Sequence, residues 1–281
     1  MSALVRSTRR RVDRTTMLLR GWAVVVYVFL YLPILFVVIY SFNEGRRLVP
    51  WKGFSSQWFS TALHNENIRA AIGVSLRAAA LTSVVATVLG SLAGIALARR
   101  GGGWVKPFMA LVFLILVTPE IVDGIAYLIW FVRINVDNNL VRLVVGHSIF
   151  NSAVVTLIVR ARLSGLDESL EEAAADLGAP PLRVFRQITL PLMLPAVLAG
   201  FLLSFTFSLD DVIISSFVTT AGSFTLPVYV FSSLRTGLKT ELAAISTVML
   251  CVTLVALAVT GFVLRRGGDS AEEITATITG A

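Results

Sequence analysis

The chain of 281 residues is 56% hydrophobic and only 15% charged, with a mean hydropathy of +0.81, whereas a soluble domain carries about 25% charged residues. The deficit runs along the whole chain, which places most of it in lipid and leaves no room for a separate soluble catalytic domain. A net charge of +7 would point to nucleic acid in a soluble protein; here the basic residues flank apolar runs, as cytoplasmic ends of membrane spans do, and no nucleic-acid partner is expected.

In chain order, Arg6, Arg9, Arg10, Arg11 and Arg14 precede an apolar run from Trp22 to Tyr40. That run is too long for the core of a signal peptide and no small-residue cleavage pattern follows, so it reads as a retained first span. Residues 1–21 form a basic tail. Six segments are apolar for the roughly 20 residues a spanning helix needs: 22–42, 74–98, 107–131, 140–160, 192–217 and 242–264. Backbone groups in lipid must bond within their own segment, so each is expected to be helical. The alternation of a lipid-spanning β-barrel is absent. The expected class is therefore all-α, a polytopic membrane domain over 22–264, with a short tail over 265–281.

Arginines and lysines concentrate in the N-terminal tail, in the 99–106 connection, in the 160–191 connection and at Arg265 and Arg266. The positive-inside rule makes that side cytoplasmic and puts both termini there. The opposite side receives 43–73, 132–139 and 218–241. In the first of these, Trp51, Phe54, Trp58, Phe59 and Leu63 approximate one helical stripe, which predicts a short helix on the membrane surface. Arg77, near the outer start of the second span, is expected to snorkel to the surface. Cys251 stands alone in an apolar run, with no disulfide partner or metal-ligand spacing, and reads as a packing residue.

The long cytoplasmic connection, 161–191, is polar but patterned. Glu168, Leu170, Glu171, Glu172 and Ala173–Ala175 favour helix. Gly178 stops it. Pro180 and Pro181 open the next turn, and Leu182, Phe185 and Ile188 predict a second short amphipathic helix, closed by Pro191. No G-x-x-x-x-G-K-[ST] sequence occurs anywhere in the chain, so it has no Walker-type site for ATP.

Glu172, Ala173 and Ala174, then Gly178, then Ile188, Leu190 and Pro191, match the EAA motif of ABC importer permeases. The resemblance extends to residues 41–43, 51–59 and 204–219, which are similar to the spermidine/putrescine permeases, and most to the second of their two permease subunits. It implies the six-span type I importer permease fold in a bacterial inner membrane. It implies a second permease subunit, two ATPase subunits that bind ATP and Mg, and an extracytoplasmic substrate-binding protein. No cofactor belongs to this chain, and it is not an enzyme by itself. The seven motif residues would couple the permease to the ATPase.

Ionisable residues inside spans are functional candidates because lipid penalises them. Glu120 and Asp123 lie three apart in the third span and share a face with Tyr127; Pro119 just before them frees backbone carbonyls. In the fifth span Ser204, Ser208 and Asp211 form a stripe, with Phe207 beside Asp210 and Asp211. Counting ~1.5 Å per residue sets Glu120 ~20 Å and the aspartates ~27 Å from the cytoplasmic start of their spans, towards the outer end. Of the two aspartates the stripe favours Asp211 as facing the path. Alkyl ammonium groups, with pKa values of ~10, stay charged and need carboxylates or aromatic faces when they leave water; Phe205, Phe207, Tyr127 and Trp130 offer faces. The resemblance adds Trp58 to the path with Glu120, Asp210 and Asp211. His147 and Asn151, four apart in the fourth span, read as an interhelical hydrogen bond. Ferric iron is the alternative cargo for the same architecture. An ion-coupled secondary transporter fits less well, since the 161–191 loop would have no purpose there, and no hydrolase motif is present.

Overall fold

The computed structural model describes residues 14–237 and 239–266; the basic residues before Arg14 and the tail beyond Arg266 lie outside them. Twelve α-helices are formed among the described residues: α1 Arg14–Tyr40, α2 Gln57–His64, α3 Glu66–Arg99, α4 Val105–Val117, α5 Glu120–Arg133, α6 Asn139–Ser164, α7 Ser169–Asp176, α8 Pro181–Val184, α9 Leu190–Asp210, α10 Ile213–Val218, α11 Leu226–Ser233 and α12 Thr240–Arg266. A π turn over Phe185–Thr189 joins α8 to α9, so one 30-residue helix runs from Pro181 to Asp210. Five helices are long and apolar enough to cross a membrane, and α4 with α5 supplies a sixth, broken segment.

The centre of the bundle is the contact of α3 with α6. These two helices run parallel: Gly90 lies against Val155 and Gly94 against Val159, one turn further along both. Small residues line α3 on this side, from Ser75 and Ala79 through Ala86 to Gly90 and Gly94, all buried, and they let the backbones approach closely. A Cβ on Gly90 would fall 2.6 Å from the Cβ of Val155, and one on Gly94 2.9 Å from that of Val159. Gly200 of α9 meets Val155 from the other side, at 3.1 Å for the same construction. Parallel neighbours require the chain to return between them, and α4–α5 makes that return.

The return is not the straight third span that hydropathy predicts over 107–131. Its two halves meet at 100°. Thr118 is extended (φ −62°, ψ 131°), as the residue before a proline prefers, and Pro119 has no N–H with which to continue α4. The Thr118 hydroxyl closes the end of α4 by donating to the Leu114 carbonyl at 2.7 Å. The fifth span differs too. Its helix stops at Asp210 rather than continuing to 217, because Asp211 is extended (φ −63°, ψ 124°) and its carboxylate accepts the Ser215 N–H at 2.7 Å, inside the short α10. At its other end the expected separate helix over 182–188 is instead the beginning of the Pro181–Asp210 helix. Pro191 lies inside that continuous helix, just after the π turn, and has no N–H to return to the preceding turn.

At the end opposite the 161–191 loop, the surface helix is shorter than its aromatic stripe suggests. Only Gln57–His64 is helical. Phe54 and Phe59 close on Phe42, and Trp51 packs edge-on to Tyr40. The preceding loop is organised by one buried side chain: the Asn43 amide donates to the carbonyls of Arg47, Leu48 and Pro50 and accepts the N–H groups of Gly45 and Lys52. Thr240, opening α12, donates its hydroxyl to the Gly45 carbonyl. Asn65 caps α3 and donates to Glu241 at 2.8 Å. Arg77 is exposed, but about three turns into α3, since that helix begins well before residue 74. Cys251 is exposed on α12 rather than packed. The span Met17–Tyr40 buries nothing in its most apolar stretch.

Gly90→Ala is expected to lower stability by about 1–3 kcal/mol, the usual cost of overpacking, read as a lower thermal midpoint in detergent. Gly101→Ala, where a Cβ meets nothing within 4 Å, should leave the midpoint unchanged.

Candidate functional site

The two helix breaks face one another. α5 begins at Glu120, directly after the Pro119 bend, and α9 ends at Asp210. Glu120, Asp210 and Asp211 line a cavity of about 380 Å³ together with His147, Asn151, Phe150 and Phe207. Phe150 and Phe207 meet edge to face, centroids 6.1 Å apart. Carboxylates from two elements and two aromatic rings thus share one wall.

The acidic groups are not equivalent. Asp211 is mostly buried, its side chain 11% exposed against 1% for His147. His147 Nε2 lies 3.3 Å from Asp211 Oδ1 and 3.1 Å from Ser215 Oγ, and Nδ1 lies 2.7 Å from Ser208 Oγ. A carboxylate only accepts, so Nε2 carries a ring proton towards Asp211, and Nδ1 shares a hydrogen bond with the Ser208 hydroxyl. With the Ser215 N–H as well, Asp211 is largely satisfied by protein. Asp210 and Glu120 are exposed. Asp210 accepts from Thr253 Oγ1 at 3.2 Å and also borders a second, more apolar cavity of about 390 Å³ against Val230, Phe231 and Met249. Both aspartates line the cavity; Asp211, on the serine stripe, is engaged by His147 and Ser215, and Asp210 is the more exposed of the two. The His147 expectation holds, with α9 and α10 as its partners.

Other expected path residues are distributed differently. Asp123 is half-buried one turn after Glu120. Tyr127 packs with Ala78, Phe131, Leu143, Ile214 and Val218, behind the cavity. Ser208 is buried beneath it, bonded to His147. Trp58 is outside the cavity lining, its indole N–H donating to the Glu44 carbonyl at 3.3 Å. Depth differs as well. Asp210 meets Thr253, midway along the 27 residues of α12, so the carboxylates lie in the middle of the bundle rather than near its outer end. α9 is offset along the bundle relative to α12, which counting residues along one helix does not reveal.

Asn151 borders the cavity as well, which its spacing alone does not disclose. It is 3% exposed, donates to the His147 carbonyl at 2.9 Å, and has a buried Oδ1 with no protein donor.

The second region is the 161–191 loop. α7 carries Glu172, Ala173 and Ala174 on an exposed helix. Asp167, just before it, accepts the Ser169 N–H at 2.9 Å, and that bond holds its carboxyl below the usual range. Gly178 ends the helix as expected, with φ +81°, and Ala179 N–H returns to the Ala174 carbonyl at 3.0 Å. Leu177 and Leu182 beside the turn are 89% and 77% exposed. Ile188 and Leu190, within the π turn and its continuation, are half-buried, and Pro191 is exposed. Glu172 of the motif and the flanking Leu177 and Leu182 thus point outward around the turn.

A sequence profile described as binding-protein-dependent transport system inner membrane component matches residues 86–266. The chain belongs to this family. Among curated relatives of this inner membrane component, the putrescine transport system permease protein PotI of Escherichia coli (strain K12) is 39% identical over 242 residues, covering 82% of this chain and 85% of that protein. The spermidine/putrescine transport system permease protein PotC of the same strain is 36% identical over 249 residues, covering 87% and 93%. Among solved structures, a bacterial alginate ABC transporter in complex with an alginate pentasaccharide-bound periplasmic protein gives a TM-score of 0.68 at 16% identity, over 90% of this chain and 93% of that one. The MetNI methionine ABC transporter gives 0.60, over 70% and 94%. The fold is that of type I ABC importer permeases, and the chain is a non-catalytic, multi-pass membrane subunit.

His147→Leu would strand the Ser208 hydroxyl and the buried Asp211 carboxylate. It is expected to cost about 3 kcal/mol, seen as a lower thermal midpoint of the purified protein.

Proposed function

We propose that this permease subunit carries polyamines, putrescine or spermidine, into the cytoplasm, with Glu120 and Asp210 receiving the ammonium groups. The observation that carries this reading is the shared cavity: two exposed carboxylates, two aromatic faces and the Asn151 side chain around one space. Each element matches a need of an alkyl diammonium ion: countercharge, a cation–π surface for its methylenes and N–H groups, and a neutral acceptor. The printed names of PotI and PotC support the same cargo. Asp211, His147 and Ser208 would hold the wall in shape rather than contact cargo.

In this reading the end carrying the 161–191 loop is cytoplasmic, as are both termini. A second permease subunit completes the path, and an extracytoplasmic binding protein delivers the cargo. Two ATPase subunits, which bind ATP and Mg, receive α7 through Glu172, Leu177 and Leu182. Closure of the ATPase pair moves α7 as a rigid body and opens the path outward; hydrolysis resets it.

The test is uptake and ATP hydrolysis by the complete complex in lipid. Putrescine- or spermidine-loaded binding protein is expected to stimulate hydrolysis, while ferric iron and sulfate do not. Asp210→Asn and Glu120→Gln should each lower polyamine uptake about tenfold, roughly 1.4 kcal/mol, with the ATPase still bound. Glu172→Lys should abolish stimulated hydrolysis. Stimulation by ferric iron alone would replace the cargo and keep the architecture.

A further inference from the structure

The EAA-type motif directs attention to Glu172, but the residue beside it is differently occupied. Glu171 turns inward. Its Oε1 lies 3.1 Å from Nη2 of Arg99, the last residue of α3, and accepts the hydroxyl of Thr189 at 2.9 Å. The other guanidinium nitrogen, Nη1, lies 2.9 Å from Glu168 Oε1. The Arg99 side chain is only 13% exposed and that of Glu171 24%, while that of Glu168 is 59% exposed. A planar guanidinium with a donor on each of two carboxylates is geometrically specific, and partial burial shields the inner pair from the screening that makes surface ion pairs weak.

The three elements joined here have separate routes into the bundle. Arg99 ends α3, whose small-residue face packs on α6. Thr189 closes the π turn that leads into α9, and single π turns of this kind recur at functional positions. Glu168 and Glu171 belong to the first turn of α7 and its approach. These side-chain bonds attach the start of α7 to the end of α3, beside the apolar packing of Leu166 and Ala98 on one core cluster. Phe185, in the same π turn, packs in the core with Val155, Val159, Leu163 and Met193, so displacement of the turn acts on the residues around which α3, α6 and α9 close.

We infer that Arg99 is a positioning residue for coupling: its fork to Glu168 and Glu171, with Thr189 on the same carboxylate, makes α7, α3 and the π turn move as one body when the ATPase displaces α7. This rests on the proposed role of α7 as the ATPase contact. Without the fork, α7 can still dock on the ATPase, but its displacement is absorbed by the loop instead of reaching two spans together. Glu171 and Glu172, adjacent in sequence, thus divide the work: one faces the bundle and the other the partner.

The experiment measures ATP hydrolysis by the assembled complex, with and without loaded binding protein, for the wild type, Arg99→Ala, Glu168→Gln and the exchange Arg99→Glu with Glu171→Arg. Co-purification of the ATPase is read in parallel. Arg99→Ala should keep the ATPase bound and keep unstimulated hydrolysis, yet lose the stimulated increment about five- to tenfold, the scale of an ordinary coupling energy. The exchange should recover at least half of it, which a general loss of packing at residue 99 would not allow. Full stimulation in Arg99→Ala, or loss that the exchange fails to restore, overturns the inference. If Arg99→Ala does not assemble, Glu168→Gln decides, since at that exposed position it takes the charge from one arm, leaving only a neutral acceptor for Nη1, without disturbing the interior: reduced stimulation supports the fork, and wild-type stimulation overturns it. A wild-type complex showing no stimulation by any loaded binding protein would instead defeat the proposed function itself.

Discussion

Val155 sets the geometry of this molecule. It is fully buried, with Gly90 of α3 on one side and Gly200 of α9 on the other. In lipid there is little hydrophobic gain from bringing two apolar helices together, so association depends on close packing. A β-branched side chain has one preferred rotamer in a helix, and here it fills the space that two absent side chains leave. The close parallel approach of α3 and α6 follows, and with it the need for a chain segment that returns from one end of the bundle to the other. The bent α4–α5 segment is that return. Where it bends, Glu120 is placed.

The site is a product of two interrupted helices. A carboxylate in the middle of a regular lipid-facing helix would be costly. At the start of α5 and the end of α9 the backbone is already open, and the acidic groups share a recess with His147 and Asn151. The Asp211–His147–Ser208 chain stiffens that recess, since each buried polar group is held by another, leaving Asp210 and Glu120 as its open charges. The same economy operates at the other end, where Glu171 is consumed by Arg99 and Thr189 while Glu172 stays exposed.

Much of this was readable from residue type and order. Span number follows from runs of apolar residues, and the α7 turn from Gly178 followed by two prolines, because those signals are local. The EAA-type pattern located the exposed α7 helix for the same reason. The bend at Thr118-Pro119 was less visible: hydropathy averages over direction, and a proline in an apolar run is compatible with a kink or a full turn. The end of α9 at Asp210 depends on Asp211 reaching Ser215, a choice made by the tertiary surroundings of His147. Arg99 looked like one of several positive-inside arginines, and its partners lie 69 and 72 residues away. Asn43 was similarly hidden, since nothing in three residues announces that one amide will bind five backbone groups.

The exposure of α1 has a consequence for how the chain varies. Its apolar residues touch few neighbours in this chain, so Leu, Ile, Val and Phe are nearly interchangeable there, provided the run stays long enough to span. The constraint on α1 is a sum over its residues, whereas that on the α3 face is a size limit at each position. Drift along the sequence should therefore be fast in the first helix and slow along Ser75, Ala79, Ala86, Gly90 and Gly94. Two helices of similar hydropathy would diverge at different rates, one recording the thickness of the membrane and the other the shape of its neighbour.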